Sequence, residues 1–202
     1  MTTRAALLAL SLVLALAGPA AAQSADQPPQ AAPPAGDPAA PMAIPDTGDL
    51  LDALAASPSE SAAEALEQRI LSAWLQSGSD TVDLLMQWSI KAMQEKNFPL
   101  ALELLNEVVI LKPDFAEGWN KRATVYYLID EYALSLADIR HVLALEPRHF
   151  GALSGLGLIL KETGDKKHAL DAFRKALAVH PYLTNARKVM EELQIEVEGR
   201  GI

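Results

Sequence analysis

Four histidines, His141, His149, His168 and His180, are the side chains in this 202-residue chain best suited to hold a transition metal or move a proton near neutral pH. A metal site needs such residues at spacings that converge, as in H-E-x-x-H, and none of the four stands in that pattern. There is no cysteine to complete a zinc set. Gly151, Gly155 and Gly157 raise the question of a phosphate cradle, but a dinucleotide loop follows a strand and opens a helix, whereas these glycines lie within a helical segment. Ser154 among them lacks the strand-turn-helix elbow of a hydrolase nucleophile. Trp74, Trp88, Trp119 and Tyr126 form no base-stacking platform, and core packing is their expected role. The expectation is a protein that is not an enzyme, with no catalytic residues, no metal and no cofactor.

The elements that carry these residues explain their spacing. Pro113, Pro147 and Pro181 stand 34 residues apart, and units of 82–115, 116–149 and 150–183 repeat one pattern around them. The fourth position reads Leu85, Trp119, Leu153; the eighth Ser89, Ala123, Gly157; the twentieth Ala101, Ser135, Ala169; the twenty-fourth Leu105, Ile139, Phe173; the twenty-seventh Val108, Val142, Ala176. Two antiparallel helices approach closely only where small residues face each other, while large apolar ones fill the remaining gaps. Proline ends the second helix of each unit by removing an N–H and displacing the preceding residue from helical backbone. Gly164-Asp165 makes the inner turn of the third unit, where the first two units have Lys96-Asn97 and Asp130-Glu131, so those turns are expected to be wider or strained.

This 34-residue pattern resembles the tetratricopeptide repeat (TPR) family over about half the chain. The resemblance implies an all-α, right-handed superhelical solenoid of three helix-turn-helix repeats, TPR 1 (82–115), TPR 2 (116–149) and TPR 3 (150–183). It implies a concave face lined by positions two, five, nine and twelve of each first helix: Asp83, Met86, Ile90, Met93; Glu117, Asn120, Thr124, Tyr127; Gly151, Ser154, Leu158, Lys161. The candidate peptide groove is therefore Met86, Ile90, Asn120, Thr124, Tyr127, Ser154 and Leu158. Its methionine and aliphatic members offer adaptable apolar contact, and its polar members can hydrogen-bond an extended backbone. Family members that clamp an acidic C-terminus use lysine, asparagine and arginine, and Asp83, Gly151 and Ser154 do not suit that role.

The remaining segments frame the repeats. Residues 1–22 carry Arg4, an apolar run from Ala5 to Ala17 and Ala20-Ala21-Ala22, which reads as a secretory signal peptide cut before Gln23, too short to anchor in a bilayer. Residues 23–46 hold seven prolines and read as a disordered Pro/Ala-rich linker. Residues 47–81 are expected to form a helical hairpin, a possible degenerate repeat that caps the first repeat. Residues 184–202 carry Ala186, Val189, Met190, Leu193 and Val197 at amphipathic-helix spacing, the pattern of a solenoid cap.

The formal charge is −9, and loss of residues 1–22, which hold Arg4 and no acid, makes it −10. Nucleic acid and anionic lipid are poor partners for such a chain, and no stable membrane insertion is expected after signal cleavage. The chain also resembles short exported periplasmic TPR proteins of alphaproteobacteria. That resemblance implies a periplasmic, non-catalytic adaptor for protein or peptide partners in envelope assembly or integrity. Two alternatives stay open: a ligand-binding subunit or accessory factor of an envelope enzyme, and a self-associating scaffold, a homo-oligomer.

Overall fold

The computed structural model describes residues 47–199, so the expected signal peptide (1–22), linker (23–46) and last three residues lie outside the described part. Among the described residues there are nine helices and no strand: α1 (Thr47–Ala55), α2 (Glu60–Trp74), α3 (Asp80–Gln94), α4 (Phe98–Leu111), α5 (Ala116–Leu128), α6 (Tyr132–Leu145), α7 (Phe150–Glu162), α8 (Lys166–Val179) and α9 (Thr184–Glu198). None is long and apolar enough to cross a membrane. Helices α3/α4, α5/α6 and α7/α8 pair as hairpins, each pair packs on the next, and α9 covers α8, giving an all-α superhelix.

One turn closes all three hairpins. Lys96, Asp130 and Gly164, again 34 apart, take φ of 58°, 62° and 88°. The residue after each donates its N–H back to the helix just ended, Asn97 to Ala92, Glu131 to Tyr126 and Asp165 to Leu160, at 2.8–2.9 Å. This is the left-handed helix stop that glycine makes without strain. The first two turns are thus no wider than the third; they hold the same geometry with a side chain in the left-handed region. Asn97 and Asp165 then cap the next helix, their side chains accepting from the N–H of Leu100 and His168.

Close approach between the paired helices follows from the small positions. Ser89, Ala123 and Gly157 are buried on the first helices; Ala101, Ser135 and Ala169 are buried on the second. The two buried serines stay satisfied, Ser89 Oγ donating to Met86 O at 2.8 Å and Ser135 Oγ to Ala123 O at 2.7 Å. At Gly157 a Cβ would sit 2.8 Å from the Phe173 ring, so the largest residue at the twenty-fourth position stands opposite the smallest at the eighth. Between repeats, a Cβ on Gly118 would meet Val108 at 2.6 Å. Arg122 links them further, forking onto Asp138 with two 2.8 Å bonds and donating to Asn106 at 2.9 Å.

Two expectations change. The α1/α2 hairpin does not cap the first repeat: Leu50, Leu51, Leu54, Ile70 and Trp74 form a core with Phe150, against which Val179, Tyr182 and Leu183 of the third repeat pack. Arg148 reinforces this docking by donating to Asp52 at 2.5 Å and to Gly48 O at 3.3 Å. The reason is aromatic: the ring of Trp74 stacks on His149 with centroids 4.0 Å apart and tilts against Phe150 at 5.1 Å, partners the first repeat does not offer. Consequently Trp88 is not a core residue; it is 51% exposed, because no preceding helix pair lies over it. At the C-terminus Ala186 and Leu193 are buried in the α8/α9 core, whereas Val197 is exposed.

Because Lys96 bears a Cβ where the backbone is left-handed, Lys96→Gly is expected to stabilise the fold, by about 0.5–1 kcal/mol once the extra freedom of glycine in the unfolded chain is set against the relieved strain. Urea unfolding of the two proteins measures it, and Gly164→Ala should shift the midpoint the other way.

Candidate functional site

Between α5 and α7 the surface opens into a groove enclosing about 310 Å³. Asn120, Thr124, Tyr127, Ser154 and Leu158 line it together, on two neighbouring first helices. Met86 does not: it is 1% exposed, because it points into the α3/α4/α5 core beside Val82, Leu105 and Val125. Ile90 is half-buried and lines no part of this cavity. The pattern of positions two, five, nine and twelve contains Gly151 of α7, which lines the cavity, but missed Leu128 at the rim and Gly155 on α7. Those glycines carried a signal. A Cβ on Gly155 would meet only Ile139 at 3.6 Å, so its absence leaves the groove open, whereas one on Gly151 would press on the His149 ring at 3.3 Å.

The polar atoms of the groove are unevenly committed. Thr124 donates its hydroxyl to Asn120 O within the helix at 2.9 Å, and Asn120 donates its amide to Glu117 at 3.0 Å, which leaves their remaining oxygens as acceptors. Ser154 Oγ is buried with no hydrogen-bond partner among the described residues. The cavity walls include Ala123, Ile139, Leu158 and Ile159, so the groove is largely apolar and the Ser154 oxygen is shut away from solvent. Tyr127 closes one side, its ring tilted against Tyr132 at 5.8 Å. Partial burial, then the charges of Glu162 and Asp130, push its hydroxyl pKa up, so it stays a donor.

Beside the groove lies a buried ionic cluster that the repeat pattern did not reveal. Glu117, only 3% exposed, accepts from His149 Nε2 at 3.0 Å and from Asn120, and pairs with Lys121 at 2.7 Å. His149 Nδ1 accepts the N–H of Ala152 at 3.1 Å, capping α7, so its proton sits on Nε2 and points at Glu117. Both ring nitrogens are used, which leaves none for a substrate or a metal. Burial alone would raise the Glu117 carboxyl; the His149 hydrogen bond and the Lys121 charge outweigh it and hold the group below the usual carboxylate range.

The other histidines serve elsewhere. His141 stacks on Trp119 at 4.3 Å, His168 sits 2.8 Å from Asp165 at the start of α8, and His180 lies buried under the hairpin with Nε2 3.3 Å from Glu67. No group of three His, Cys, Asp or Glu among the described residues could hold a metal ion.

A TPR repeat-containing protein of Rhizobium etli is 43% identical to this chain over 137 residues, covering 68% of this chain and 67% of that protein. The chain belongs to the tetratricopeptide repeat family. No family model matches it. A small glutamine-rich TPR protein of Saccharomyces cerevisiae is 27% identical over 56% of this chain and 36% of its own length. Among solved TPR structures, the first TPR of Spaghetti (RPAP3) bound to the HSP90 peptide SRMEEVD superposes with a TM-score of 0.57 at 16% identity, over 59% of this chain and 95% of that one. MamA superposes with a TM-score of 0.56 at 19% identity, over 68% and 82%. At such identities the likeness establishes the TPR fold.

The lowered Glu117 carboxyl sets a pH dependence. Its contribution is present above the unfolded carboxylate value of about 4.3 and is lost as pH falls through the lower folded value. Glu117→Gln, which keeps an acceptor for His149 but no charge, should therefore lose less stability than wild type on acidification, read from urea midpoints. Glu117→Ala, which strands the His149 N–H, should cost about 1–3 kcal/mol at neutral pH.

Proposed function

We propose that the protein is a non-catalytic adaptor that takes an extended peptide segment of a partner protein into the α5/α7 groove. The observation that carries this reading is the largely apolar groove between α5 and α7 with the uncommitted oxygens of Asn120 and Thr124 and the Tyr127 hydroxyl on its lining. A peptide backbone supplies the complementary atoms: an N–H for the free oxygens of Asn120 and Thr124, and a carbonyl for Tyr127. The structural neighbour that holds an HSP90 peptide supports peptide capture as the use of such a surface. The ligand differs here from an acidic C-terminal tail. The lysine next to the groove, Lys121, is already spent on Glu117, and Gly151 and Ser154 present no cation. Small apolar residues flanked by free backbone suit the channel better.

Export to the periplasm and work in the envelope belong to the same reading, supported by Arg4, the apolar run and Ala20-Ala21-Ala22 at the start of the chain. Protein isolated from cells should begin at Gln23; an intact mass retaining residues 1–22 in a membrane fraction refutes export and release.

Asn120→Ala with Tyr127→Ala should abolish capture of crosslinked partners while circular dichroism stays that of wild type. Both side chains are half-buried, Asn120 bonded to Glu117 and Tyr127 packed on Tyr132, so the folded double variant should lose some stability, whereas central contact residues carry about 2 kcal/mol or more of binding. Unchanged capture by the folded double variant places recognition outside the groove.

A further inference from the structure

Among the described residues the α3 end of the solenoid has no helix over it, and its chemistry is self-complementary. In the second repeat the third and seventh positions are Gly118 and Arg122, and in the third they are Ala152 and Leu156. All four are covered by the preceding repeat: Gly118 lies against Val108 and Val109, Arg122 bonds Asn106, Ala152 is buried, and Leu156 packs on the core that holds Ile139 and Val142. The tenth position, Val125 and Ile159, is fully buried there. In the first repeat the same three places are Leu84, 43% exposed, Trp88, 51% exposed, and Lys91, also exposed. The hairpin that precedes α3 in the chain docks on the third repeat instead, and the α3/α4 core contains no residue of α1 or α2.

Asp80, Leu84, Trp88 and Lys91 lie at intervals of four, four and three, so they share one stripe of α3. An acid opens the stripe, a base closes it, and an aliphatic and an aromatic residue stand between. We propose that a second copy of this chain covers this face, α3 running antiparallel to α3 about a two-fold axis that passes midway between Leu84 and Trp88. Leu84 of each copy then lies on Trp88 of the other, and Asp80 of each falls within one residue of the register of the second copy's Lys91. Every contact occurs twice, as an isologous interface requires. A parallel arrangement, or a heterologous helix without this order of charges, would leave Asp80 and Lys91 facing like charge or nothing. The stripe is short, so the dimer is concentration-dependent, with the two indole rings as its anchors.

Light scattering behind size exclusion on the protein as isolated, compared with its own intact mass, should give twice the chain mass at high concentration and the chain mass on dilution. Trp88→Glu should hold it at the chain mass with unchanged circular dichroism. Asp80→Lys and Lys91→Asp should each weaken association by about tenfold, since each creates two like-charge contacts per dimer. The double exchange Asp80→Lys with Lys91→Asp should recover wild-type association. A wild type that stays monomeric, a dimer insensitive to Trp88→Glu, or a charge exchange that fails to rescue overturns the proposal, as does a monomer whose α3 face is occupied by another protein. Asn120→Ala with Tyr127→Ala leaves this assay untouched, so the groove and the dimer stand or fall separately.

Discussion

Two helices joined by a turn of two or three residues can lie side by side only if each is nearly bare where they meet. Ser89, Ala123 and Gly157 facing Ala101, Ser135 and Ala169 meet that condition three times, and the left-handed residues Lys96, Asp130 and Gly164 close each pair. Everything else in the solenoid is set by that approach. It fixes where the large residues Leu105, Ile139 and Phe173 must fit, and so the offset of one repeat on the next. The offset opens the channel between α5 and α7, with Gly151 and Gly155 withholding side chains from its floor.

Around this scaffold the chain places buried charge with care. Arg122, wedged near Trp119 and Tyr126, spends its guanidinium on Asp138 within its own repeat and on Asn106 across the repeat boundary. Glu117 collects His149, Asn120 and Lys121. A buried carboxylate is tolerated only when its oxygens are matched, and here the matching residues come from α5 itself and from the loop before α7. The same His149 ring is the surface on which Trp74 stacks, so the ionic cluster that stabilises the repeat boundary also forms the seat of the N-terminal hairpin. The hairpin's position over the third repeat follows from that shared ring.

The groove is chemically mild, which suits recognition of backbone more than of any one side chain. Its walls are aliphatic, and the polar groups with capacity left are the Asn120 amide, the Thr124 oxygen and the Tyr127 hydroxyl. Two nearby cations are engaged in ion pairs, Lys121 with Glu117 and Arg122 with Asp138.

The repeat, its helices and their buried faces were legible in the sequence because they are local: a 34-residue period, proline stops and alternating small and large residues dictate hairpins whatever surrounds them. The resemblance to the repeat family implied one concave face for Met86, Ile90, Asn120, Thr124, Tyr127, Ser154 and Leu158, and the structure brings the last five to one cavity. What the period could not decide is how far each face is covered. Met86 occupies the same position as Asn120 and Ser154, yet it is core, since burial depends on which neighbour curls over it. Trp88 occupies a packing position, yet it is exposed, since the hairpin meant by chain order to lie beside it finds a better partner in His149 and Phe150. The Glu117–His149 pair, 32 residues apart, carries no motif at all. Contacts between distant segments are chosen by competition among surfaces, and only the folded chain shows which surface won.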